Sequence, residues 1–218
     1  MITAANRLLT RKAAGGVVTL VKEDHATSGA GNAITAMATV DAGDILVMSE
    51  RITITSGGSA TVAAPTGFTM LDGFYDGSEF MAMGLYVKLA DGTEDSSTIS
   101  TGVTGITNQS GYEAQLVRFS GGAASITVGG TGNADNAGGS SIAAVSGTAP
   151  QIVLALMCCR TSSSIGSATI DGAGTELAAL DNSHSLVWLI QQDTPATVSS
   201  SYSSGAGERE IYGYVEAA

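Results

Sequence analysis

The stretch Asp41-Ala42-Gly43-Asp44-Ile45-Leu46-Val47-Met48-Ser49-Glu50-Arg51-Ile52-Thr53-Ile54 decides how the rest of the chain reads. Its first four residues are turn formers, because Gly tolerates positive φ and an Asp side chain can bond nearby amides. The next ten are apolar at first and alternate later, which describes a β-strand better than a helix face. Upstream, VVTLVKE (17–23) reads as a strand, HATSGAGNA (25–33) as a loop and ITAMATV (34–40) as an alternating segment. Downstream, Gly57-Gly58 and Pro65-Thr66-Gly67 turn the chain, and Phe80 to Leu89 is a Met- and aromatic-rich strand ended by Asp91-Gly92. Tyr112–Phe119, a short strand at Ser125–Val128 in the Gly- and Ser-rich stretch 120–149, Ile152–Cys159, Leu186–Ile190 and Ile211–Val215 complete the set. The expected core is Ile45, Val47, Phe68, Leu85, Val87, Leu116, Ile152, Leu154, Trp188 and Val215.

The totals agree with an all-β domain. The chain has 218 residues, 29 of them Gly and only three Pro, with 44% hydrophobic and 13% charged residues. That is apolar enough for a packed core, and short strands joined by turns account for the glycine. The net charge of −11 argues against a nucleic-acid surface, which needs clustered Lys and Arg. The charge is uneven. Residues 1–22 carry Arg7, Arg11, Lys12 and Lys22 and no acid, while residues 23–218 set five bases against twenty acids, a net of −15. No apolar run approaches the ~20 residues of a membrane span, and basic residues interrupt any secretory leader. Cys158 and Cys159 are adjacent, so on a strand they face opposite ways and do not bridge. At least one reads as a small buried hydrophobe, and synthesis in a reducing cytoplasm fits.

The chain also repeats itself. LYVKLADGTEDSSTIS (85–100) lies over LVWLIQQDTPATVSSS (186–201) at a constant offset of 101 residues. Ile45–Met48 resembles Ile152–Ala155, and Glu113–Phe119 resembles Glu210–Glu216. Two halves, about 17–121 and 150–218, joined by a Gly- and Ser-rich segment, would each offer about four strands with one apolar face. Packed together they predict a two-sheet antiparallel β-sandwich. Residues 2–14 fit one short helix, with Ile2, Ala5, Leu8 and Leu9 on one face and Gly15-Gly16 stopping it.

Several phrases together resemble a family of β-sandwich, jelly-roll-like proteins of phage particles and bacterial surfaces. They are Ala42-Gly43-Asp44-Ile45-Leu46-Val47, Pro65-Thr66-Gly67-Phe68-Thr69 and Tyr86-Val87-Lys88-Leu89-Ala90-Asp91-Gly92-Thr93-Glu94. Leu116-Val117-Arg118-Phe119-Ser120-Gly121 and Pro150-Gln151-Ile152-Val153-Leu154-Ala155-Leu156 extend the resemblance over roughly 17–218. It implies a structural virion protein of a tailed bacteriophage, displayed as a head decoration or fibre. Its partners would be other virion proteins, the major capsid protein or tail-tip proteins, and further copies of itself. The alternative is a tail receptor-binding module that recognises host surface glycans. Residues 1–16 have no counterpart in the family pattern. They are expected to be a basic anchor arm in which Arg7, Leu8, Leu9, Arg11 and Lys12 make the attachment.

The residues offer little catalytic chemistry. Only His25 and His184 could serve a nucleophile, and no Gly-x-Ser-x-Gly elbow accompanies them. Two His and two adjacent Cys make no familiar zinc spacing. The loop Asp91-Gly92-Thr93-Glu94-Asp95 has an acidic look, but its sixth residue is Ser96 and its twelfth Gly102 where a calcium loop needs Gly and Glu. No cofactor, no metal and no enzymatic activity are expected. Phe74, Tyr75 and Tyr202 are the candidates for glycan contact, since an exposed ring can stack on a sugar; packing within the molecule is the competing reading.

Overall fold

A computed structural model describes residues 9–13, 16–28, 31–135, 141–145, 151–159, 165–170, 175–177, 184–191, 196–202 and 209–218. Among these residues there are eighteen strands and no helix. The first half contains β1 (Leu9–Ala13), β2 (Gly16–Ser28), β3 (Ala33–Thr35), β4 (Ile45–Ile54), β5 (Thr61–Val62), β6 (Thr69–Asp76), β7 (Met81–Leu89), β8 (Thr98–Ser100), β9 (Val103–Thr104) and β10 (Gln109–Ser120). The second contains β11 (Ile126–Asp135), β12 (Ser141–Val145), β13 (Gln151–Cys158), β14 (Ile165–Ile170), β15 (Thr175–Leu177), β16 (His184–Gln191), β17 (Ala196–Tyr202) and β18 (Arg209–Ala217). Every strand pairing is antiparallel.

The two halves share one strand order. The larger sheet runs β1-β2-β10-β4-β7-β6 and the second β11-β18-β13-β16-β15. Setting β1 aside, each position in one sheet has its counterpart in the other, in the same chain order. The smaller pairings follow suit. β3 pairs β8 and β5 pairs β9 in the first half, while β12 and β14 flank β17 in the second. The registers match too. Ile45 faces Leu89 and Val47 faces Val87, as Ile152 faces Ile190 and Leu154 faces Trp188. Both agree with the offset of 101 residues read from sequence. The third match is corrected by one residue: Ile45 faces Phe119 but Ile152 faces Val215, so Phe119 corresponds to Val215 and not to Glu216. A one-residue slip would turn every inward side chain outward. In the segment expected to join the halves, the short strand expected at 125–128 runs on to Asp135 as β11 and a further strand, β12, follows.

One apolar cluster draws on both large sheets. It takes Ile45, Val47, Leu85, Val87, Val117 and Phe119 from the first and Ile152, Leu154, Leu156, Leu186 and Val215 from the second. Phe119 and Trp188 meet edge to face across it, centroids 5.3 Å apart. The opposite face of the first sheet is covered as well, by a cluster that joins Leu46, Met48, Ile52, Tyr86 and Leu116 to Ile34, Phe68, Ile99 and Val103. This explains why β4 is buried at nine of its ten residues. Val153, Ala155, Met157 and Val187 form a third cluster on the far face of the second sheet, with Ile165 of β14 packed on them. Cys158 and Cys159 are both buried and unbridged. Nine of the ten expected core residues are buried, and Trp188 is half-buried against the core.

Three local expectations are overturned. The helix expected over 2–14 is not formed at residues 9–13, which pair with β2 from Leu9↔Leu20 to Ala13↔Gly16. A one-off short helix is marginal in water, whereas an edge ladder satisfies the same backbone groups against a standing strand. The loop expected over 25–33 is strand as far as Ser28, because the long β10 carries the pairing on: Val117 faces His25 and Ala114 faces Ser28. In 34–40 only the beginning is strand. The remainder is held by Ala36 N donating to Ser97 O and Val40 N to Asp95 Oδ1.

Candidate functional site

Turn chemistry places the loops that surround any surface site. The Asp44 carboxylate accepts from Asp41 N at 3.0 Å and pairs with Arg118 at 3.0 Å. Gly43, at φ 88°, lets three segments meet, donating to Ala90 O and accepting from Ala123 N. A Cβ there would sit 3.0 Å from the backbone of Gly122 and Ala123. Phe68 N closes onto Pro65 O at 3.0 Å with Gly67 at φ 80°, the geometry of a type II turn, and delivers Phe68 into the core.

Two groups of polar side chains lie inside. The first brings together side chains of β4, β10 and β16. Ser49 Oγ is 3.1 Å from His184 Nε2, and both residues are fully buried. His184 Nδ1 is 3.9 Å from Glu113 Oε2, and Glu113 accepts two bonds from Arg51 Nη1, at 2.9 and 2.8 Å. A hydroxyl, an imidazole and a carboxylate in this order suit acyl transfer, which needs a base oriented by a hydrogen-bonded acid. Here the imidazole–carboxylate distance exceeds hydrogen-bond reach, and the carboxylate is engaged by Arg51. The arrangement ties β16 of one half to β4 and β10 of the other. Arg209 and Asp76 do the same nearby, with Arg209 Nε donating to Asp76 Oδ2 at 2.7 Å and Nη2 donating to the same oxygen.

The second group centres on Glu50, on the other face of β4. Its carboxylate accepts from Tyr86 OH at 2.6 Å, Thr101 Oγ1 at 2.6 Å and Gly102 N at 3.1 Å. Burial pushes its pKa above the usual carboxylate range, and the bonds from Thr101, Tyr86, Gly102 and Val103 offset that only in part. Burial and the neighbouring Glu50 push the Tyr86 hydroxyl up as well. The result is a clamp that pins residues 101–103 to the sheet. Sequence reasoning missed both groups. The signal present was the polar triplet Ser49-Glu50-Arg51 inside an otherwise apolar strand, all three buried.

Glu94 is likewise spent on its own loop. It accepts from the amides of Asp91, Gly92 and Thr93 and pairs with Lys88 at 2.7 Å. Among the described residues no cluster of His, Cys, Asp and Glu is arranged to hold a metal ion.

Beside that loop opens a groove of ≈ 470 Å³, lined by residues 63–66 on one side and 97–104 on the other. Pro65, Phe68 and Ile99 supply apolar surface, Thr66, Ser97, Thr98, Ser100 and Thr101 supply hydroxyls, and the Lys88–Glu94 pair lines it too.

The sequence-derived candidates do not gather at one place. Arg7 and Leu8 lie outside the described residues, while Leu9, Arg11 and Lys12 fall on β1. Phe74 and Tyr75 are neighbours on β6 and pack on different clusters, Phe74 on the one shared by both large sheets and Tyr75 on the one that covers the opposite face of the first sheet. Tyr75 OH donates to Gly58 O at 2.7 Å. Tyr202 ends β17, opposite Ile165. His184 belongs to the tie between halves, and His25 is on β2. No protein-family model matches the chain, and comparison with curated proteins and with solved structures finds no similar one.

Proposed function

We propose that this chain is a non-enzymatic structural protein of a tailed bacteriophage particle, made in the host cytoplasm and displayed on the virion surface as a head decoration or fibre. In this reading the two large sheets form a jelly-roll-like β-sandwich, and residues 1–16 join it to the major capsid protein or to another virion protein. The observation that carries it is how the buried polar groups are used. Glu50 clamps a loop, Glu94 caps another, and Ser49, Arg51, Glu113 and His184 tie the halves together. Such a molecule is built to hold a shape. The acidic body, at −15 over residues 23–218, suits a surface that must stay soluble and apart from its neighbours.

The test is to purify particles, count this chain by quantitative mass spectrometry and locate it by cryo-electron microscopy. Many copies over the head support decoration. A few copies at the tail tip favour the receptor-binding alternative, with a host glycan as ligand. Absence from purified particles overturns both.

A further inference from the structure

We propose that the groove beside Thr98–Ser100 seats an extended polypeptide segment, which joins the open edge of β8 as an added strand. The inference goes beyond the display role and does not depend on it.

The edge itself comes first. β8 pairs β3 through Ile34↔Ile99, and the ladder is continued by Ala36 N donating to Ser97 O and Thr101 N to Asn32 O, both at 2.8 Å. In an antiparallel ladder alternate residues direct their backbone groups to alternate sides. Residues 97, 99 and 101 therefore face β3, and Thr98 and Ser100 turn their N–H and C=O toward the groove. Both residues are exposed. An open strand edge beside a cavity is the template that strand addition uses.

The second half shows what belongs in that place. There β17 is flanked on both sides, by β12 and by β14, which pairs with it from Ile165↔Tyr202 to Ile170↔Val198. In the first half β5 starts in the same way. Thr61 faces Thr104, Val62 faces Val103, and Ala63 N donates to Gly102 O at 3.0 Å. Then the chain peels away into the turn closed by Phe68 N on Pro65 O, and Pro65 has no N–H to offer a ladder. The groove is the position a longer β5 would fill. It is continuous with the pairing of β5 and β9, so an added segment would prolong an existing ladder.

The lining specifies the ligand. An added strand places alternate side chains inward. The inward one would meet Pro65, Phe68 and Ile99, so it should be aliphatic and of moderate size. Lys88 and Glu94 neutralise one another at 2.7 Å, so the segment needs no charge at its centre. A sugar would find hydroxyls here, but the ring that lines the groove, Phe68, is only 9% exposed and offers no stacking face.

The probe is an acetylated, amidated peptide with residues 163–172 of this chain, which contains the Ile165–Ile170 strand. It is titrated to millimolar concentration into the isotope-labelled full-length chain, followed by amide NMR. The expected result is saturable shifts centred on Thr98, Ser100 and Ala63–Ala64. The same peptide with Thr169→Pro, the residue opposite Ser199 and so opposite the counterpart of Thr98, should bind about fivefold or more weakly, having lost a pairing amide. Ser100→Pro removes a groove-facing N–H, and Ala64→Phe fills the groove without touching the ladder. Either variant, once its spectrum shows the native fold, should abolish the shifts. No shift at these residues overturns the proposal, as do shifts confined to 196–202 or shifts equally strong with the proline peptide.

Discussion

Glu50 shows most clearly how one residue can be indispensable and yet silent in the sequence. Its three donors come from β7 and from a loop about fifty residues downstream, and nothing near position 50 announces them. Asp44, Pro65 and Gly67 were legible because their partners are three residues away at most in the turn they build. The Glu50 clamp predicts two different mutants. Glu50→Gln keeps an oxygen for Tyr86 and Gly102 and presents an amide to Thr101, so it should cost at most about 1 kcal/mol. Glu50→Ala strands a buried hydroxyl and a buried amide and should cost about 3 kcal/mol or more. Equal urea midpoints for the two would refute the clamp. The pH dependence follows from burial. A carboxyl whose folded pKa is raised contributes stability that is complete below its unfolded pKa and is lost as pH rises through the folded one. Wild type should therefore lose stability relative to Glu50→Gln as the pH rises above the ordinary carboxyl value of 4.5.

At the scale of elements, the strands that were legible are those with apolar residues on both faces or in clean alternation. β4 and β7 lie within segments expected from sequence, β13 overlaps the expected 152–159, and β16 contains the expected 186–190. What misled was local propensity where a long partner decides. Residues 9–13 and 25–28 are strand only because β2 and β10 extend past them. The repeat was visible in β7 and β16, but its third member slipped by one residue, since Glu113 and Glu210 look alike while only the ladder fixes which faces inward. The loop at 91–95 illustrates the reverse case, an acidic pattern with a structural use. Asp95 accepts from Val40 N at 2.6 Å, and Glu94 holds three amides and Lys88. Both Glu94 oxygens and one oxygen each of Asp91 and Asp95 are engaged before any ion arrives. EDTA should leave the melting temperature unchanged, and millimolar calcium should not raise it; a rise of several degrees with calcium would show that the loop reorganises around an ion. Glu94→Ala should lower stability by about 1–2 kcal/mol by releasing the amides of the turn.

The whole molecule is two similar halves held by an apolar layer and a few polar ties, and its pH limits follow from those ties. Burial alone would raise the Asp76 pKa, but bonds from the Ser78 hydroxyl and amide, Arg209 and the Glu79 amide outweigh it and hold the group at about 2, against an ordinary 3.8. A depressed carboxyl contributes stability above its unfolded pKa and loses it as pH falls through the folded one. Asp76→Asn should thus cost about 1–2 kcal/mol at neutral pH, and the difference should close as the pH drops from about 3.8 toward 2. Attachment is a separate matter from this stability. The basic segment 1–16 divides at Leu9: residues 1–8 lie outside the described residues, whereas residues 9–13 are an edge strand of the larger sheet. Two truncations separate the roles. Removing residues 2–8 takes away Arg7 and Leu8 but leaves the five-residue ladder with β2. If the arm is the anchor, that protein should stay folded and fail to join particles that lack the wild-type chain. Removing residues 2–14 also strips Gly16–Leu20 of β2 of their partner, leaving that stretch open to pairing with other chains, so it should melt lower and self-associate. Exposed ion pairs contribute only about 0–1 kcal/mol each, so reversing Arg7 and Arg11 to Glu should weaken joining less than replacing Leu8 with Asp. Full occupancy of the particle by the 2–8 truncation would place the anchor on the sheets instead, and the charge reversal would then have no effect at any salt concentration.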